Sequence, residues 1–311
     1  MLASQTSMVA VRSQTGAGLS HLAMAGVLWG TGGLLGSLLG RVAGLSPVAV
    51  ATYRLVVGGA LLILILLLAG RRLPRGRSAW SRIAVLGLLF ATYQACYFGA
   101  VALTSVSLAT LVTIGTSPVL VLAAEWATTR RRASPQMIGA VCLAVTGLGL
   151  LVGLPAGGYA PSAVLASTGL ALISAGGFAT VTRLGAKPVA GLDEQAAVGL
   201  GFAGGGLLLA PFAVTTVGLG FTPTAVTVGL LVALGTAPTA LAYTLYFRGL
   251  RTIGASTAVV LALLEPLTGA LLAAVLLDDR LGAAGIVGAI LLAVAVILAS
   301  STSRQSVPHA D

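Results

Sequence analysis

"VVLALLEPLTGALLAAVL", residues 259–276, is apolar enough to cross a bilayer, yet carries Glu265 and Pro266 side by side in its middle. A helix that only had to span lipid would carry neither. An acid at mid-depth is costly when it faces hydrocarbon, so it is expected to face a bundle interior or a watered cavity. The proline removes one backbone donor and is expected to leave the carbonyl of Ala262 without its helical partner. Such a carbonyl is tolerated at membrane depth only where protein or a water-filled space satisfies it.

The rest of the chain agrees with a membrane setting. It has 311 residues, 57% hydrophobic and 8% charged, against about 25% charged in a typical soluble domain. The mean hydropathy is +1.05. Glycine is abundant, at 42 residues, which suits close helix packing in lipid. The net charge of +10 is spread in short clusters between apolar runs. It therefore does not read as a nucleic-acid surface. Cys96 and Cys142 lie in separate apolar runs and read as small buried hydrophobes, with neither a disulfide nor a metal site implied. No metal ligand cluster and no cofactor motif is expected.

A spanning helix needs about 20 apolar residues, so the charged residues mark off the spans. One run lies between Arg12 and Arg41 and a second between Pro47 and Arg71. The charge-free intervals 83–124, 133–182 and 195–247 hold two spans each, split at "LTSVS" 103–107, "LPAGGYAPS" 154–162 and "TTVGLGFTPT" 215–224. The runs 252–277 and 281–303 complete ten helices. The start, "MLASQTSMVAVRSQTGAGLSH", and the end, "STSRQSVPHAD", read as tails. With both tails cytoplasmic, every basic residue except Arg41, Arg54 and Arg280 falls on the cytoplasmic side, as the positive-inside rule asks.

Five helices followed by five suggest a duplication. In the register that pairs Pro118 with Pro266, Gly87 meets Gly235, Thr104 meets Thr252 and Val112 meets Val260. One residue later in the register, Gly139-Ala140 meets Gly288-Ala289. Because five is odd, the two copies enter the membrane in opposite directions, the arrangement of transporters that bind substrate between inverted repeats. The fold class is therefore all-α integral membrane, ten transmembrane helices as two inverted five-helix repeats around a central cavity. Its units are a cytoplasmic tail 1–18, a first repeat 19–155, a second repeat 156–303 and a cytoplasmic tail 304–311. Pro118 and Pro266 are expected to break matching helices beside the cavity, Pro118 by freeing the carbonyl of Ile114.

"LWG" 28–30, "PVAVATYRL" 47–55, "SPVLVLAAEW" 117–126, "PQMIGA" 135–140 and "EPLTGALLAAVLLDDRLGAAGIVGA" 265–289 occur in an order that resembles the drug/metabolite transporter superfamily. The resemblance is to its ten-helix form with two EamA-type halves. It covers roughly residues 20–301. It departs at "ATTRRRAS" after "AEW", where the family more often has an acidic turn residue. The likeness to bacterial amino-acid and metabolite exporters implies a multi-pass protein of the bacterial inner membrane, a monomer or weak homodimer.

Glu265 admits three roles: partner of a substrate amine, carrier of a coupling proton, or hydrogen-bond partner of a neighbouring helix. Arg54, some seven residues inside its span, either snorkels or pairs within the bundle, or anchors a substrate carboxylate. Trp29 sits mid-span, and Tyr93 and Tyr97 share one face of the third helix. With Tyr243, these are expected to line the substrate site ahead of Phe98 and Phe178, because a deep tyrosine needs a hydrogen-bond partner. Gly32, Gly36 and Gly40 form a small-residue ridge suited to helix contact. Glu125 is expected at the interface, facing the basic turn that follows it.

The function these features suggest is a secondary transporter exporting small amphiphilic metabolites, neutral amino acids first among them, by alternating access. The alternatives are a nucleotide-sugar or other metabolite carrier of the same fold, a non-transporting scaffold, or an intramembrane enzyme. An enzyme is disfavoured because both histidines, His21 and His309, lie near the chain ends and the deep acids are not paired. The absence of a G-x-x-x-x-G-K-[ST] loop argues against direct ATP drive.

Overall fold

In the computed structural model, residues 2–71, 73–130, 132–153, 158–276 and 281–305 are described, with only helical backbone for 2–12 and 304–305. The side chains of Arg12, Arg72, Arg131, Arg280, Arg304 and His309, and turn residues 154–157, lie outside the described residues. Among the described residues, ten helical segments are long and apolar enough to cross a membrane. The first five spans are α1 (Leu2–Ala43), α2 (Pro47–Leu68), α3 (Arg77–Leu103), α4 (Val106–Thr129) and α5 (Pro135–Val152). The sixth and seventh are α6 (Pro161–Gly185) and α7 (Glu194–Thr216). The eighth joins α8 (Ala225–Gly235), a π-helical turn (Thr236–Leu241) and α9 (Ala242–Ile253). The ninth joins α10 (Ala255–Leu261) and α11 (Leu264–Leu276), and the tenth is α12 (Ala283–Gln305).

Helix starts are written in the sequence. Ser46, Ser105 and Ser134 each accept a hydrogen bond from the backbone N–H three residues on, at the heads of α2, α4 and α5. Pro47 and Pro135 follow in the first turn, where a missing N–H costs nothing. Asp193 caps α7, and Thr224 with Thr227 forms a capping box for α8. The expected tail over residues 1–18 is different: α1 runs back to Leu2. No proline precedes Pro47, and extending an existing helix adds one hydrogen bond for each residue fixed.

The helices pair in a pattern that maps onto itself when the halves are exchanged. The second and seventh spans pack together, as do the fifth and tenth. The first packs on the eighth and ninth, and the sixth on the third and fourth. Glycines set the closest crossings. A Cβ at Gly59 would lie 2.5 Å from the backbone nitrogen of Ala203, and one at Gly288 would lie 2.5 Å from the carbonyl of Gly147. Backbones this close need small residues, because lipid supplies no hydrophobic drive to hold helices together.

The small residues of α1 divide their work differently from the expected ridge. Gly26 and Gly30 make the close contacts, a Cβ at either falling 2.8 Å from a carbonyl of the ninth span, that of Leu261 or Glu265. Gly32, Gly36 and Gly40 line a cavity between the halves, and a Cβ at Gly32 or Gly40 would still fall 3.2 Å from Pro238 Cβ or 3.1 Å from the carbonyl of Leu45. Neither cysteine is buried: Cys96 is half-buried and Cys142 is exposed on α5.

Candidate functional site

The cavity has a volume of about 730 Å³ and lies between the two halves. It reaches the surface beside Arg41, Leu45, Pro47 and Val106, at the end where α1 turns into α2 and α3 into α4. Among the described residues, none that lines it comes from the basic turns at the other end. That end is shut by packed aromatics and polar links. Trp29 is 4.9 Å from Tyr243 and 4.8 Å from Tyr246, ring centre to ring centre, and Phe202 is 4.6 Å from Tyr243. Nearer that surface, Arg71 meets Asp193 at 2.7 Å, and Arg251 pairs with Glu194.

All five residues expected at the substrate site, Trp29, Tyr93, Tyr97, Tyr243 and Glu265, line this cavity, and so does Arg54. Phe98 and Phe178, ranked behind the tyrosines, line it as well. The tyrosine hydroxyls are engaged with protein: Tyr93 with Tyr243 at 2.7 Å, and Tyr97 with Thr110 at 2.9 Å. These pairs answer the need of a deep hydroxyl for a partner, and leave the rings as the surface presented to the cavity.

Arg54 is held by the eighth span. Its Nε donates to Thr239 Oγ1 at 3.1 Å and an Nη to the carbonyl of Pro238 at 3.4 Å. The π turn makes this possible. It carries Pro238, and Thr239 Oγ1 donates to the carbonyl of Leu234, five residues back, at 2.7 Å. Widened turns of this kind recur at functional sites. The signal for it in the sequence was Pro238, a proline inside a charge-free run.

The two expected helix breaks part company. At Pro266 the ninth span does break, after Leu261, but the carbonyl of Ala262 is not left open: it accepts from the N–H of Glu265 at 2.9 Å. A tight turn replaces the helical bond that proline removes. Pro118 does not break α4, which runs through it, and Pro118 does not line the cavity. There Ser117 Oγ donates to the carbonyl of Thr113 at 2.7 Å, a back-bond that ties the helix ahead of the proline. Glu125 is also placed differently. Its carboxylate accepts from the hydroxyl and the backbone N–H of Ser256, at the head of α10 in the other half. A carboxylate there satisfies a free helix N-terminus, which outcompetes an exposed arginine turn.

Glu265 has a different character. Among the described residues its carboxylate makes no hydrogen bond and no ion pair within 4 Å. Arg54 on α2 attracts it from beyond ion-pair distance, and the reading as a hydrogen-bonded tie to a neighbouring helix finds no partner among the described residues. Among the described residues the cavity thus presents one anion from the ninth span and one cation from the second, with Arg41 at the mouth and aromatic rings at the base.

A match to the EamA-like transporter family covers residues 16–153 and again 166–301. The chain belongs to the EamA-like transporter family. Each matched copy takes in five of the ten spans. The chain is 27% identical over 286 residues to the uncharacterized transporter YwfM of Bacillus subtilis, across 91% of this chain and 93% of that one. It is 27% identical over 299 residues to the uncharacterized inner membrane transporter YicL of Salmonella typhimurium, across 93% and 96%. A solved crystal structure 20% identical superposes with a TM-score of 0.77 over 94% of this chain and 99% of that one, and shares the fold.

Proposed function

We propose that this EamA-type membrane transporter exports neutral zwitterionic metabolites, amino acids with apolar or aromatic side chains foremost, by alternating access. The observation that carries the reading is the unpaired Glu265 carboxylate and the Arg54 guanidinium on different walls of one cavity whose base is aromatic. An α-amino acid offers the complement: an ammonium for Glu265, a carboxylate for Arg54 and an apolar body for the rings around Trp29. Charge-assisted contacts out of bulk water are the strong ones, so a single pair suffices to orient a small substrate. A nucleotide sugar asks for several cations around its phosphates, and the deep part of this cavity supplies one.

The transport cycle follows from the closed and open ends. Five being odd, the second copy of the unit enters the membrane opposite to the first, so the halves oppose one another across the cavity. With the basic turns cytoplasmic, the open end faces outward, and both termini lie inside. Reaching the inward-open state requires parting the fourth and ninth spans at the Glu125–Ser256 link, together with the aromatic base. In a bacterial host the inner membrane is the expected location, a reading supported by the likeness to the Salmonella inner membrane transporter, and one copy of the chain carries the whole cavity.

Counterflow into proteoliposomes with a panel of labelled neutral, acidic and basic amino acids and a nucleotide sugar tests the assignment. Exchange of neutral amino acids is expected. Exchange of the nucleotide sugar with none of the amino acids would reject it.

A further inference from the structure

The residue that sequence reasoning passed over is Gln94, between Tyr93 and Ala95 on α3. It is 5% exposed and lines the cavity. Its carboxamide makes no hydrogen bond among the described residues, and its polar atoms are not sealed away as the indole nitrogen of Trp29 is. A buried amide usually finds a protein partner, since leaving donor and acceptor unmet is costly. Every other deep polar group of α3 and α4 facing this space is tied to protein. Tyr93 and Tyr97 hold hydroxyl partners, and Thr113 donates to the carbonyl of Ala171. Gln94 alone in that wall keeps a donor and an acceptor aimed into the cavity.

Its depth gives the amide a role. Counted from the helix ends at the open face, Arg54, Gln94 and Glu265 lie roughly 10, 14 and 16 Å down their helices at ~1.5 Å per residue. Gln94 is thus level with the gap between the cation and the anion, on a third wall. A carboxamide carries an N–H donor and a carbonyl acceptor side by side. A zwitterionic headgroup presents the matching acceptor and donor on adjacent carbons.

We propose that Gln94 is a specificity-determining residue that reads this paired headgroup, its Nε2 donating to the substrate carboxylate and its Oε1 accepting from the ammonium. The inference rests on the zwitterion reading above. It adds to the demand that Arg54 and Glu265 impose together, because one amide contacts both halves of the headgroup. A molecule lacking one half of the headgroup leaves half of the buried amide unmet, and sites built this way discriminate strongly.

The test is competition against counterflow of labelled phenylalanine by the full-length protein in liposomes, with phenethylamine and 3-phenylpropanoate as competitors that keep the ring and lose one charge. The wild type is expected to prefer phenylalanine over both by on the order of tenfold or more. Gln94→Leu should narrow both preferences by about threefold or more, leaving the part that Glu265 and Arg54 hold, while Gln94→Glu, which keeps the shape, should move the preference toward phenethylamine. Unchanged ratios in Gln94→Glu, or in a Gln94→Leu protein that melts like wild type, overturn the inference alone. A wild type that exchanges no amino acid overturns the substrate reading and this inference together.

Discussion

Replacing Glu265 by glutamine separates binding from folding with unusual clarity. The carboxylate has no hydrogen bond and no ion pair within 4 Å among the described residues, so the isosteric amide gives up only the longer-range attraction of Arg54. It also removes the cost of holding a charge away from bulk water, so the melting temperature in detergent should hold or rise. What the variant loses is the contact to a substrate ammonium. A hydrogen bond to a charged group contributes ~1.5–3 kcal/mol, which corresponds to roughly 10- to 150-fold in affinity. Saturation of counterflow in proteoliposomes, with the amino acid that exchanges fastest, reads this directly. The half-saturating concentration should rise by at least tenfold while an amine-free analogue is affected far less. A wild-type saturation curve from a folded Glu265→Gln protein would refute the reasoning, because it would leave the free carboxylate with nothing to bind.

Three other substitutions probe the frame around the site. Gly288→Val places a Cβ 2.5 Å from the carbonyl of Gly147 and should destabilise the α5–α12 crossing by ~1–3 kcal/mol, seen as a lower melting temperature. Tyr93→Phe removes the 2.7 Å link to Tyr243 and should cost about 1 kcal/mol of stability, with the cavity shape kept. Glu125→Ala strips the head of α10 of its acceptor and should favour the inward-open state. Faster labelling of Ser256→Cys from the basic-turn side would show it, and an unchanged labelling rate would count against the closure described here.

The frame was legible because its signals are local or periodic. Charged residues or small-residue turns bounded the spans, and Ser46, Ser105, Ser134 and Asp193 cap helices at the turns that were expected. The cavity-facing set Trp29, Tyr93, Tyr97, Tyr243, Glu265 and Arg54 was legible because polar and aromatic groups at depth need a reason to be there. What was not legible depends on the partner a group finds across the bundle. Pro118 and Pro266 look alike in sequence, yet Ser117 lets α4 run on while the N–H of Glu265 closes a turn at Ala262. Gln94 and Glu125 show the same limit from opposite sides. One is a buried amide left without a protein partner, and the other an apparent surface acid that holds the far half. The π turn at Pro238 escaped because its consequence, a carbonyl turned toward Arg54, exists only in three dimensions.

The most direct measurement is solvent access to the middle of the bundle. In a protein with Cys96 and Cys142 replaced by serine, single cysteines at Ala262 and Ser117, both lining the cavity, are exposed to a membrane-impermeant thiol reagent from one side at a time. Rapid labelling from the side of the α1–α2 turn, slowed by saturating substrate, is the predicted result. Failure to label either position from either side of the membrane would mean that no vestibule reaches Glu265, and would contradict the account.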